Sequence, residues 1–231
     1  MIFSHRSIAA PGRTRPGPSR WLRRLAAPAA GIMLTAFAVS FAPTTAYALT
    51  SGTLTVSPSS GASVTLGSNQ QSTKTIVDIK VPTSLPLSMG IQFRSANSGA
   101  GYRTKARVAA NGTLTVSLSR VAGGVETAFG TPVNTGMTVK PGETIRLQGL
   151  VAGLDPVTTY VRAWKSGAAT PNWQLAARDY TSARITAAGA TRLWGYLSGT
   201  ATSAATVGFS NVTTEFVTAD SVASYPVKSW V

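Results

Sequence analysis

From Tyr102 to Arg120 the chain reads YRTKARVAANGTLTVSLSR, and apolar and polar residues change places at almost every step. Ahead of the turn, Tyr102, Thr104, Ala106 and Val108 share one parity while Arg103, Lys105 and Arg107 take the other. Beyond it, Leu114, Val116 and Leu118 alternate with Thr113, Thr115, Ser117 and Ser119. A period of two predicts an antiparallel pair with one buried face. A two-residue Asn111-Gly112 turn would set Val108 opposite Thr115, pressing the apolar side of one strand onto the polar side of the other, which a one-sided sheet does not tolerate. The pattern therefore predicts a three-residue loop, Ala110-Asn111-Gly112, with Gly112 left-handed and a bulge. That loop pairs Val108 with Leu114 and Ala106 with Val116.

The same alternation recurs along the chain. Leu54 and Val56 alternate with Thr53 and Thr55 in a first strand, which a loose Gly/Ser segment follows as far as Gln71. Further strands are predicted over 75–81, 89–94, 125–129, 144–151, 158–165, 173–179, 191–198 and 206–217, and Lys140-Pro141-Gly142-Glu143 is a turn with Pro second and Gly third. Within them Ile145, Leu147 and Val151 oppose Thr144, Arg146 and Gln148; Thr159, Val161 and Ala163 oppose Tyr160, Arg162 and Trp164; Leu193 and Leu197 oppose Arg192, Trp194 and Tyr196. After residue 48 no stretch sustains a 3.6-residue period, although 182–190 has room for one helical turn. About ten short strands separated by Gly, Pro, Asn and Ser turns predict an all-β fold, a two-sheet antiparallel β-sandwich of jelly-roll type.

The N-terminal 48 residues follow a different grammar. Arg6, Arg13, Arg15, Arg20, Arg23 and Arg24 precede an uncharged apolar run over 25–42, and Ala46-Tyr47-Ala48 is a small-x-small site. This is the order of a secretory signal cleaved before Leu49, with a retained membrane anchor as the alternative. The Arg23-Arg24 pair leaves twin-arginine export open beside the general route. The domain is then expected over 49–218 with a C-terminal tail over 219–231, secreted or held at the cell surface. Cleavage changes the charge: the full chain carries +14, but without those six arginines 15 basic residues face seven acids, about +8. Such a surface favours anionic polymers. Nucleic acid is not expected, because no binding motif is present.

Chemistry is restricted by what is missing. His5, the sole histidine, lies in the signal, and there is no cysteine. The exported part therefore has no imidazole base, no thiol nucleophile and no His or Cys metal ligand, and no cofactor is expected.

Several segments in sequence order, YRTKARVAANGTLTVSLSRVAGGVETAF, KPGETIRLQGLVAG, TTYVRAWKSGAATPNWQLAARD and RLWGYLSGTATSAATVGFSNV, resemble concanavalin A-like (laminin G-like) jelly-roll modules of secreted actinobacterial proteins. The resemblance covers roughly 74–216 and rests on Tyr102, Asn111-Gly112, Trp164, Gly167, Trp173 and Tyr196-Leu197-Ser198. It implies a fold more than an activity. Such modules usually begin with an aromatic, Gly-rich strand and end in a Phe-Asp-Asp type strand; here the start is Thr/Ser-rich and the end reads Phe209-Ser210-Asn211. Any calcium site that the acidic pair serves in relatives is thus expected to be lost. Hydrolases sharing the jelly roll carry a Glu-x-Asp-x-x-Glu strand motif, and the acids Asp78, Glu126, Glu143, Asp155, Asp179, Glu215 and Asp220 form none. No enzymatic activity is expected, with a polysaccharide hydrolase or lyase as the least favoured alternative.

What remains is binding. Tyr160, Arg162, Trp164, Arg192, Trp194 and Tyr196, with Arg103, Lys105, Arg107 and Arg146, occupy the parity opposite the core. If their strands are neighbours, they bring guanidinium groups and flat rings onto one face. Rings stack on sugar C–H faces and arginine forks bind carboxylates, so the six residues are candidate carbohydrate contacts for a neutral or anionic polysaccharide. The same residues also suit a sandwich whose aromatics fill its core and whose basic strands merely face water. A rival reading is a structural surface or matrix protein that binds other subunits through a tail over 219–231 carrying Trp230.

Overall fold

The computed structural model describes residues 49–231; the export signal expected over 1–48 lies outside the described residues. Twelve strands and one short helix follow one another. They are β1 (Gly52–Val56), β2 (Ser60–Gln70), β3 (Thr73–Lys80), β4 (Leu87–Ser95), β5 (Gly101–Val108) and β6 (Thr113–Ala122), then β7 (Val125–Thr138), β8 (Thr144–Ala152), β9 (Val157–Lys165), β10 (Leu175–Asp179), β11 (Gly189–Leu197), β12 (Ala205–Phe216) and α1 (Ala219–Val222). The first sheet has the order β1-β12-β3-β8-β9-β10 and the second β2-β11-β4-β5-β6-β7. Every strand pairing within them is antiparallel. The architecture is the two-sheet β-sandwich that the alternation predicts.

The core lies between the sheets. Val77, Ile79, Ile145, Leu147, Val157, Val161, Val207 and Phe209 come from the first, and Met89, Ile91, Phe93, Ala106, Leu114, Val116, Leu118 and Leu193 from the second. The β5–β6 hairpin has the register its sequence demands: Val108 faces Leu114, Ala106 faces Val116, and Gly112 sits at φ 83°. Gly149 marks a close approach of the two sheets, since a Cβ there would stand 2.1 Å from Thr104 Oγ1. The Lys140–Glu143 turn closes through Glu143 N–H donating to Lys140 O at 3.1 Å, with Gly142 at φ 86°.

Three expectations need correction. The loose segment before Gln71 contains the 11-residue strand β2, and β7 runs on to Thr138 instead of stopping at Phe129. Both are sheet edges, where one neighbour suffices and few apolar side chains are needed. No helix forms over 182–190; the single helical turn is α1, which Thr218 caps by accepting from Ser221 N–H. The third concerns the tail. Beyond α1 the last residues run parallel to 173–176: Lys228 N–H donates to Trp173 O at 2.8 Å, Ala176 N–H to Ser229 O at 2.9 Å and Val231 N–H to Ala176 O at 3.0 Å. The tail thus extends the first sheet of its own chain, paired along one side to 173–176.

One end of the sandwich is tied by Arg94. Its side chain is 1% exposed, and Nε, Nη1 and Nη2 donate at 2.6 Å each to the carbonyls of Gln71, Ile185 and Gly153, drawing together three separate loops. Burial lowers its pKa to about 10, so it stays charged at neutral pH. The residue adopts φ 50°, a left-handed conformation that costs a non-glycine residue about 1–3 kcal/mol. Arg94→Met would leave three partly buried carbonyls without this donor. Hydrogen bonds from a charged donor contribute roughly 1.5–3 kcal/mol each, so urea unfolding of the variant should show a loss of at least about 3 kcal/mol, against little change for Arg107→Gln on the surface.

Candidate functional site

A sandwich leaves each sheet an outer face, and the six candidate residues divide between them. Tyr160, Arg162 and Trp164 project from β9 on the first sheet; Arg192, Trp194 and Tyr196 project from β11 on the second. Alternation assigned all six correctly to the side away from the core, yet they lie on opposite sides of the molecule.

On the first sheet the outer face is roofed. Leu150, Ala152, Tyr160, Trp173 and Ala176 form a second small core with Val222, against which Val217, Tyr225 and Val227 pack. Tyr160 is 1% exposed and donates its hydroxyl to Val222 O at 2.9 Å, and its ring meets Trp173 and Trp230, each at a centroid distance of 5.5 Å. Trp164 is 3% exposed. Neither can meet a glycan, which corrects their assignment as carbohydrate contacts. The sequence does hold a signal for this cover in Val222, Tyr225, Val227 and Trp230, apolar residues too dense for a solvated tail. Alongside, Asp78 accepts from Arg146 Nε and Nη2 at 2.6 and 2.7 Å and from Asn211 at 2.9 Å.

Among the described residues the second sheet's outer face carries no such roof. Trp194 and Tyr196 lie two residues apart with rings parallel to within 9° and centroids 6.4 Å apart, and Tyr196 is 40% exposed. In register Trp194 faces Gly90 and Tyr196 faces Ser88, so no bulky side chain stands beside either ring on β4. Gly61 on β2 helps in the same way, since a Cβ there would touch Trp194 Nε1 at 3.5 Å. The Arg103 guanidinium sits 4.3 Å from the centre of the Trp194 ring. Along β5, Arg103, Lys105 and Arg107 face Gln92, Gly90 and Ser88, and Ser119, Ser117 and Thr115 on the other side. Glu126 bridges this row: it accepts from Arg103 at 2.7 Å, from Ser119 at 2.7 Å and from Lys105. Burial alone would raise the Glu126 carboxyl, but the Lys105 and Ser119 hydrogen bonds and the charges of Lys105 and Arg103 outweigh it and hold it below the ordinary range. Arg192, opposite Gln92, has a buried Nε with no partner among the described residues.

The rest of the charge is committed. Of the seven acids, all but Asp220 form ion pairs among the described residues. Asp179 is the most enclosed: it accepts from Tyr102 Oη at 2.8 Å, Arg120 Nη1 at 2.7 Å and Thr181 Oγ1 at 2.7 Å. Burial pushes its pKa up, but the hydrogen bonds from Thr181, Arg120 and Tyr102 prevail and lower it; Asp78 is lowered likewise by Arg146 and Asn211 against its burial. Where shifts are resolved, the carboxyls are thus held ionised, the reverse of what a general acid requires. Among the described residues no group of His, Cys, Asp or Glu could hold a metal ion.

No family model and no curated protein matches the chain. Solved structures of similar fold include the carbohydrate-binding module CBM66 from Bacillus subtilis, at 14% identity and TM-score 0.47, covering 72% of this chain and 96% of that one. A xylan β-1,4-xylosidase from Bacillus halodurans C-125 matches at 12% identity and TM-score 0.46 over 71% of this chain, but the match spans only 32% of the enzyme. Sheep galectin-11 matches at 13% identity and TM-score 0.38, over 68% of this chain and 98% of that one. Likeness at this level accompanies the sandwich and decides nothing about a ligand.

The depressed carboxyls set a pH dependence. A group whose pKa is lower folded than unfolded stabilises the fold above its unfolded value, near ~4 for aspartate, and that stability is lost as pH falls through the folded value. With no histidine after residue 48, no imidazole titrates in the domain. Thermal unfolding should therefore be nearly flat between about pH 5 and 8 and drop steeply below about pH 4. Asp179→Asn should lower Tm at neutral pH and make the acid slope shallower.

Proposed function

We propose that residues 49–218 form an exported, non-catalytic module that binds a glycan on the outer face of the second sheet. The observation that carries this reading is the parallel Trp194–Tyr196 pair, partly open to water and set among Arg103, Lys105, Arg107 and Arg192 on an uncovered face. Flat rings offer apolar area to the C–H faces of sugars at low cost in conformational entropy, while guanidinium groups supply paired donors to hydroxyls or carboxylates. The strand scaffold fixes these groups in advance, so little freedom is lost on binding. A largely ion-paired set of acids supports a binding role over hydrolysis, which needs two carboxyls facing one another across a cleft.

Retention of the purified protein on a panel of neutral and anionic polysaccharides, followed by calorimetry on the best ligand, tests the reading. Trp194→Ala and Tyr196→Ala should each weaken binding by about tenfold, equivalent to ~1.4 kcal/mol, without shifting Tm by more than a few degrees. Arg107→Gln should weaken anionic polymers more than neutral ones. Retention that neither aromatic substitution changes, or no retention on any glycan, would reject the proposal.

A further inference from the structure

The roofed side of the sandwich contains a cavity of about 270 Å³ lined by Lys74, Arg162, Asn172, Trp173, Tyr225 and Pro226. Lys74 comes from β3 and Arg162 from β9, while Tyr225 and Pro226 belong to the tail that covers them. The guanidinium of Arg162 is held rigidly there. Its Nε donates to Gln148 Oε1 and its Nη1 to Pro171 O, both at 2.7 Å, and its centre lies 4.4 Å from the Trp173 ring and 5.6 Å from that of Trp164. Among the described residues Nη2 bonds to no protein group, and it is not one of the buried unpartnered atoms. A fixed cation thus keeps one donor edge in reach of solvent. Lys74 Nζ, the other cation at this cavity, is engaged by Glu215 at 2.7 Å.

From this geometry we propose a second binding site, separate from the Trp194 face, that takes the carboxylate of a single acidic sugar residue of the hexuronate class. Three features select that ligand. Lys74 and Arg162 less Glu215 leave one net positive charge, which matches a monoanion and under-compensates a phosphate dianion. The volume falls just under the ~300 Å³ at which clefts for drug-sized ligands begin, so it admits one sugar residue and not an oligomer. Tyr225 and Pro226 give the cavity an apolar wall beside the cations, suited to a ring face next to its carboxylate. Because that wall is part of the tail, the site exists only while the tail is docked. A ligand bound there stabilises the docked form in proportion to its saturation.

Titration of the purified protein with galacturonate and glucuronate, followed by tryptophan fluorescence and NMR, tests this. Both acids should bind and raise Tm, while galactose, glucose and the uronate methyl esters bind at least about tenfold more weakly. Lys74→Gln, at a partly buried position, should weaken uronate by about threefold with the fold intact, and Arg162→Gln by about tenfold. Deleting residues 225–231 should abolish binding. Trp194→Ala should leave uronate affinity unchanged; if it removes uronate binding, the carboxylate is read on the other face and this site falls while the glycan-binding reading stands. Equal binding of the neutral sugars, full affinity in Lys74→Gln, or acetate or inorganic phosphate matching uronate would overturn the proposal, the last as an adventitious ion only.

Discussion

A strand in a two-sheet sandwich can give only one of its sides to the shared core, and burial of that side is the main favourable contribution to folding. Ile145 and Leu147, or Ala106 and Val108, therefore fix where every intervening residue of β8 and β5 must go. The opposite parity is released from the core but not from physics. On the first sheet it carries Leu150, Ala152 and Tyr160, and a face that apolar cannot be left to water, so the chain returns over it with Val222, Tyr225 and Trp230. On the second it carries Arg103, Lys105, Arg107 and the Trp194–Tyr196 pair, polar enough to stay uncovered. The two sides of the molecule differ because their leftover parities differ.

Much of this is legible in the primary structure, and the limits of legibility have physical causes. The register of the β5–β6 hairpin is determined by apolar matching within twenty residues, and it holds. The edge strands β2 and the far half of β7 escape notice, because small and polar residues such as Gly67, Asn134 and Thr138 can pair their backbones with one neighbour while burying little. The candidate face fails for another reason. Alternation tells which side of its own strand Tyr160 or Trp194 occupies, but is silent about which sheet that strand joins. Strand order is decided by contacts distant in sequence, such as β3 pairing both β8 and β12. No local period encodes them.

Charge is arranged by the same logic. An acid buried beside the core, such as Asp179, is tolerable only with Arg120, Tyr102 and Thr181 all donating to it. With the acids so occupied, the cationic surplus is expressed on the surface. Arg94 is the exception. Among the described residues it is neutralised by no acid and is solvated instead by three carbonyl dipoles, which makes it a joint between loops.

The long margin formed by β7 has an implication for how copies of this molecule meet. Its pairing with β6 slips at two places, and Gly130, Pro132 and Gly136 interrupt its fourteen residues. A foreign strand approaching from solvent would find its ladder of donors and acceptors broken before it could zip along more than a few residues, the protection that open sheet margins need against stacking into fibrils. At the other sheet the same hazard is met differently, by laying the chain's own last residues along β10. Copies of this chain can therefore crowd together without fusing along these margins.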